Sequence, residues 1–73
     1  MHVENLVKMA NQIGEFFASF PDREEALDGV ATHIKKFWEP RMRSTLLAHL
    51  DSVGYDELNL TAAEALRVHR GRL

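Results

Sequence analysis

Six aliphatic hydroxyl groups and four histidines are the side chains of this 73-residue sequence best suited to nucleophilic and acid–base chemistry. The hydroxyls belong to Ser19, Thr32, Ser44, Thr45, Ser52 and Thr61. A hydrolytic triad needs a nucleophile, a base and an orienting acid that converge. None of these hydroxyls follows the strand–turn–helix pattern of a nucleophile elbow, and the four glycines are too scattered for a phosphate-binding loop. We therefore predict no catalytic residue and no enzyme activity of this chain alone.

The histidines are also poorly spaced for a metal site. Helical metal ligands lie three or four positions apart on one face, whereas His2, His33, His49 and His69 are spread along the chain. His33 has no acidic residue three or four positions away on either side. The chain has no cysteine, which removes disulfides and thiolate sites. The sequence predicts neither a metal nor a cofactor.

Net charge and hydropathy reduce the classes of partner that the sequence favours. The net charge is −2, from 9 basic and 11 acidic residues, which disfavours nucleic acid and anionic membranes. No apolar run approaches the roughly 18–20 residues of a membrane span, and residues 1–5 lack the basic and apolar regions of a signal peptide. We expect a cytoplasmic protein with no membrane partner.

Helical periodicity runs through the whole sequence, and no segment alternates with the period of a strand. The first apolar stripe predicts a helix over residues 3–19, which Pro21 ends. Its members are Leu6, Met9, Ile13, Phe16, Phe17 and Phe20. Asp22 then stands as an N-cap with Glu25 three residues on, a variant of the capping box. The second stripe consists of Ala26, Leu27, Val30, Ile34, Phe37 and Trp38.

Two further helices follow. Pro40 either breaks the second helix or starts the third in its first turn, and Gly54 is a C-cap for the third. The third stripe contains Met42, Leu46, Leu47, Leu50 and Val53. Thr61 and Glu64 predict a capping box for a short last helix over residues 62–69. The prediction is an all-α fold, a small bundle of three amphipathic helices plus a short C-terminal helix, in one domain over residues 1–73.

Small size predicts a need for a partner. A domain of this length hides only about 60% of its unfolded surface, and such a core seldom supplies more than about 3–5 kcal/mol. Without disulfides, oligomerisation or docking on a larger protein is the expected supplement. Self-association of the isolated chain therefore stays open.

Basic and aromatic residues cluster at the end of the second helix. The cations Lys35, Lys36, Arg41 and Arg43 surround an aromatic pair. In one interpretation they form a solvated helix end, where each cation stabilises the helix dipole by about 0.3–1 kcal/mol. In the other they form an anchor patch for a partner, since tryptophan and arginine are enriched at interface hot spots.

Adjacent aromatic pairs occur at Phe16–Phe17 and Phe37–Trp38. Neighbours on a helix point about 100° apart, so both members reach the core only if the apolar arc is wide. Either one ring of each pair is left for a partner, or the arc is wide and Trp38 is half-buried.

Two segments resemble a known family. Residues 9–17 read Met-Ala-Asn-Gln-Ile-Gly-Glu-Phe-Phe, and residues 33–43 contain Phe-Trp-Glu-Pro-Arg-Met-Arg. In order and separation they resemble two signatures of the delta subunit of NAD-dependent formate dehydrogenases, and the resemblance covers residues 6 to about 50.

The resemblance implies a non-catalytic accessory subunit of a soluble enzyme, dependent on molybdenum or tungsten, that oxidises formate and reduces NAD. It implies that the cofactors reside in the larger subunits, and that the delta subunit serves assembly, maturation or stabilisation of the complex. The expected partners are those larger subunits, chiefly the catalytic alpha subunit.

We therefore expect a helical docking module, with partner-binding residues Asn11, Gln12, Phe17, Phe37, Trp38, Pro40, Arg41 and Arg43. In this hypothesis Trp38 is an aromatic anchor, Arg41 and Arg43 meet carboxylates of the catalytic subunit, and Pro40 keeps the turn rigid. Asn11 and Gln12 either bond the partner's backbone or form polar surface. The alternative is a free-standing helical homodimeric regulator that binds another protein or nucleic acid.

Overall fold

Four α-helices make up the fold, as the periodicity predicts. The computed structural model describes residues 2–73. The helices are α1 (Val3–Ala18), α2 (Arg23–Phe37), α3 (Pro40–Val53) and α4 (Leu60–Val68), followed by a 3-10 turn at Arg70–Arg72. That part of the chain contains no strand, which confirms the all-α prediction. Within it, no helix combines the length and the apolarity needed to cross a membrane.

Local sequence sets three of the helix boundaries. Asp22 caps α2 by accepting hydrogen bonds from the backbone N–H groups of Glu24 and Glu25, at 3.0 and 3.4 Å. Pro40 is the first residue of α3, where its missing N–H costs no helical hydrogen bond. Gly54 ends α3 with a φ of 87°, a conformation that glycine adopts without steric strain. All three positions follow the sequence-based prediction.

The start of α4 differs from the prediction. Asn59 is the N-cap, and its side-chain oxygen accepts from the N–H of Ala62 at 2.9 Å. Thr61 and Glu64 instead accept hydrogen bonds from the guanidinium of Arg23, at 2.8 and 2.6 Å. The predicted capping box of these two residues is therefore wrong, because both side chains connect α4 to the start of α2.

All four helices contribute to the core: α1, α2 and α4 pack against one another, and α3 packs alongside α1. Its largest fully buried side chains are Val30, Ile34, Leu46, Leu50 and Leu66. Helix α4 approaches α1 closely because small residues face each other. A Cβ at Gly14 would lie 2.6 Å from Oδ1 of Asn59 and 2.9 Å from Cβ of Ala62, so only glycine fits there without a shift.

The last residues are tied to the bundle by arginines. Arg70 pairs with Asp51 at 2.8 Å, and Arg72 bonds both Asp28 and Thr32 at 2.7 Å. Hydrogen bonds with Asp51 and Tyr55 raise the pKa of the Arg70 guanidinium. These groups are exposed, and such pairs contribute little stability individually. They fix the position of the C-terminal turn against α2 and α3.

Candidate functional site

An apolar groove of about 450 Å³ opens between α1 and the second half of α2. It is lined by Met9, Gln12, Ile13, Phe16, Phe17, His33 and Trp38. A second depression adjoins it at Gln12 and Phe16 and extends to Glu15 and Ser19. Apolar side chains supply most of the wall of the groove.

A continuous row of rings runs along the groove. Phe16 lies 5.0 Å from Phe17 and 5.9 Å from Phe20, measured between ring centroids. Phe17 reaches His33 at 6.5 Å, and His33 reaches Phe37 at 4.8 Å. Edge and tilted contacts of this kind are worth about 0.5–1.5 kcal/mol each beyond area burial. The row therefore holds the outward rings in defined positions.

Each aromatic pair leaves one ring outside the core. Phe16 is 64% exposed and Phe37 is 70% exposed. Their neighbours turn inward: the ring of Phe17 packs against the backbone of Gly29, in the space where a Cβ would overlap it, and Trp38 is only 5% exposed. This confirms that the domain does not cover both members of either pair. We call the surface formed by Met9, Gln12, Phe16, His33 and Phe37 the α1–α2 face.

The expectation that Trp38 offers a surface anchor is wrong. Its side chain belongs to the hydrophobic core, and the exposed ring at the end of α2 is that of Phe37. Helix α2 ends at Phe37, and Trp38 already has extended backbone dihedrals as its C-cap. This change of backbone conformation turns the indole into the bundle.

The guanidinium of Arg43 forms hydrogen bonds within its own chain. Its guanidinium donates to the carbonyl of Trp38 at 2.7 Å, to that of Lys35 at 3.3 Å and to that of Leu73 at 3.4 Å. It thereby satisfies carbonyls at the C-terminus of α2, where a cation also complements the helix dipole. The expectation that Arg43 aims at a partner's carboxylates is wrong. Pro40 and Arg41 remain exposed beside Phe37.

Asn11 also bonds its own chain. Its Nδ2 donates to the carbonyl of Glu57 at 3.0 Å, and its Oδ1 accepts from the N–H of Asn59 at 2.8 Å. The carbonyl of Asn11 accepts from Nδ2 of Asn59 at 2.8 Å. Asn11 therefore holds the loop that leads into α4, a role that differs from both predicted alternatives, a bond to a partner's backbone and polar surface. Gln12 is exposed and forms part of the groove wall.

Several residues of the face were not among the predicted site residues. The sequence pattern places Met9 and Phe16 in the core stripe of α1 and marks His33 as a candidate metal ligand, whereas in the structure all three belong to the face. The width of the α1 stripe was the available signal, since an arc that includes both Phe16 and Phe17 exceeds what one neighbouring helix covers.

The chemistry of the face is apolar. Across residues 2–73, no three histidine, cysteine, aspartate or glutamate side chains are grouped so that they could hold a metal ion. The one histidine on the face, His33, lies between two phenylalanine rings. Such a surface is suited to covering by another protein.

Comparison with protein-family models finds a match over residues 5–66 to the NADH-dependent formate dehydrogenase delta subunit family, FdsD. The chain belongs to this family. The match includes most of α1, all of α2 and α3, and most of α4. It confirms the resemblance carried by the two sequence segments. No curated protein and no solved structure matches the chain.

Membership in FdsD makes this chain a formate dehydrogenase delta subunit. The family name describes one subunit of a larger enzyme and so implies association with other formate dehydrogenase subunits. The α1–α2 face includes parts of both segments that carry the resemblance, residues 9–17 and 33–43.

Replacing Asn11 with Asp should destabilise the fold by about 1–2 kcal/mol, because the donor to Glu57 is lost and a carboxylate faces that carbonyl. Gln12→Glu is the matched control, since it makes the same change at the next, exposed position. Urea unfolding followed by circular dichroism measures both. Equal midpoints for the two variants would contradict the assigned role of Asn11.

The pair Phe37 and Trp38 allows a second test. Trp38→Ala should cost about 3–5 kcal/mol, which is comparable to the whole stability of a domain this small, so helicity should be lost. Phe37→Ala should cost less than about 1 kcal/mol because its ring is mostly exposed. Thermal melts of the isolated variants measure this, and a stable, helical Trp38→Ala variant would contradict the core assignment.

Proposed function

We propose that this chain is the non-catalytic delta subunit of a soluble, NAD-dependent formate dehydrogenase containing molybdenum or tungsten. It docks on the larger subunits, chiefly the catalytic alpha subunit, and serves their assembly, maturation or stabilisation in the cytoplasm. Its family membership supports the subunit assignment. The observation that supports docking is the exposure of Phe16 and Phe37 on one face, around the groove.

Burial of this face would be a substantial source of binding free energy. Covering one phenylalanine is worth about 1.5–3 kcal/mol relative to leaving it in water. Phe16 and Phe37 are held by neighbouring rings, so little side-chain entropy remains to be lost when a partner covers them. Aromatic residues with few accessible rotamers are typical of the energetic centre of interfaces.

The predicted partner-binding residues divide into two groups under this proposal. Gln12, Phe37, Pro40 and Arg41 are exposed and would contact the partner directly. The other four would not contact the partner directly but would hold in place the helices that form the face. These are Asn11, Phe17, Trp38 and Arg43.

Docking would also supply what the small core lacks. A partner that binds only the folded chain stabilises it by mass action. The benefit is mutual, since the delta subunit would cover a matching apolar surface on the larger subunit. This mutual burial is the physical basis that we propose for a role in assembly and stability.

The double variant Phe16→Ser, Phe37→Ser tests the proposal in a co-expression experiment with the larger formate dehydrogenase subunits. The amount of large subunit that co-purifies with tagged delta chain should fall at least about tenfold, since 1.4 kcal/mol is a factor of ten and two anchors are lost.

The matched control is Leu60→Ser, Val68→Ser. These two residues are also exposed, at 84% and 60%, but both lie on α4, outside the α1–α2 face. Co-purification with this control should equal that of the natural chain. Undiminished co-purification of a folded Phe16→Ser, Phe37→Ser variant would overturn the proposal, as would an equal loss with the control.

A further inference from the structure

The α1–α2 face carries exposed charges of opposite sign at its two ends. Lys8 precedes the groove residue Met9, and Lys36 lies three positions after His33 on α2. Because α1 and α2 are joined by a short turn and run antiparallel, the start of α1 and the end of α2 lie at the same end of the face. This end is basic.

The opposite end of the face is acidic. Glu15 lines the depression beside Phe16. Glu25 lies four residues before Gly29 and eight before His33, spacings that place all three along one side of α2. Among the described residues, Glu15, Glu25 and the two lysines of the basic end form no ion pair. The four charges are therefore available to another molecule.

This arrangement is complementary to itself. A two-fold axis that lies in the plane of the contact, at right angles to the helices, brings the basic end of one copy onto the acidic end of the other. A contact of this kind closes on itself without leading to filaments. We propose that, in the absence of larger subunits, the chain forms an antiparallel face-to-face homodimer through the α1–α2 face. In this dimer Lys8 and Lys36 of each copy meet Glu15 and Glu25 of the other.

The shape of the face is suited to binding a second copy of the chain. Outward rings of Phe16 and Phe37 stand beside a groove of about 450 Å³, so each copy has both a projecting apolar group and a concavity to receive one. The face is only part of a molecule measuring 33 × 23 × 19 Å. The contact is thus smaller than the roughly 800 Å² per partner of a standard stable interface, and the dimer is a weak, reversible one.

The dimer has a consequence that rests on the proposed function. If the same face docks on the larger subunits, homodimer and enzyme complex exclude each other. The homodimer then covers Phe16 and Phe37 until a larger subunit displaces the second copy. The chain would be kept soluble in this way before assembly, because its main apolar patch is not left in water.

Charge reversal of each end tests the arrangement on the isolated full-length chain. Lys8→Glu with Lys36→Glu makes both ends acidic, and Glu15→Lys with Glu25→Lys makes both ends basic. Each variant alone should self-associate at least about tenfold more weakly than the natural chain, because like charges oppose each other. An equimolar mixture of the two should regain association. Asp56→Lys reverses an exposed charge in the loop before α4 and should leave association unchanged.

Sedimentation equilibrium from low micromolar to about 0.5 mM chain measures these associations, with circular dichroism as a check on folding. The natural chain should show a concentration-dependent monomer–dimer equilibrium that weakens with added salt. A natural chain that stays monomeric throughout would overturn the proposal. So would dimers insensitive to charge reversal, or a mixture that fails to recover. None of these readouts involves the larger subunits, so they are independent of the co-purification test.

Discussion

Consecutive residues on a helix point about 100° apart, and this limits how much aromatic surface a bundle of 73 residues can cover. Helix α1 carries the adjacent rings of Phe16 and Phe17, whereas α2 ends between Phe37 and Trp38. In each pair, one ring turns toward the core. Trp38 and Phe17 take the inner positions, while Phe16 and Phe37 stay in water. The exposed α1–α2 face is a direct consequence of this limit. Both the proposed docking and the proposed homodimer depend on it.

Polar side chains that were candidates for recognition serve instead to fix this face. Arg43 satisfies the last carbonyls of α2 and also reaches Leu73. Asn11 and Asn59 bond each other's backbone groups and so set the entry into α4. Because these groups are already paired, they have little left to offer a partner. What the α1–α2 face does offer is exposed apolar surface with charges at its edges, a combination suited to contact with another protein.

Local signals allowed much of the fold to be predicted. Apolar spacing located the helices, and Asp22, Pro40 and Gly54 located three boundaries, because each acts within a few residues of its own position. Contacts distant in sequence could not be predicted in this way. Asn11 and Asn59 are 48 positions apart, and nothing local distinguishes Asn59 from Thr61 as the cap of α4.

The dependence on contacts distant in sequence also explains which features of the site could be predicted. Spacing left two alternatives for each aromatic pair, one outward ring or a wide apolar arc. The outcome depends on the backbone change at Trp38 and on the space above Gly29. The region predicted for partner binding, at the end of α2 and in the middle of α1, overlaps the α1–α2 face. The individual roles of Trp38, Arg43 and Asn11 required the folded structure.

Hydroxyl-radical footprinting of the delta chain, alone at low micromolar concentration and within the purified formate dehydrogenase complex, tests the docking face most directly. The account predicts that oxidation of Phe16 and Phe37 slows several-fold in the complex, whereas oxidation of Leu60 and Val68 on α4 does not change. Equal oxidation of Phe16 and Phe37 in both samples would show that the face stays in water, and would contradict the account.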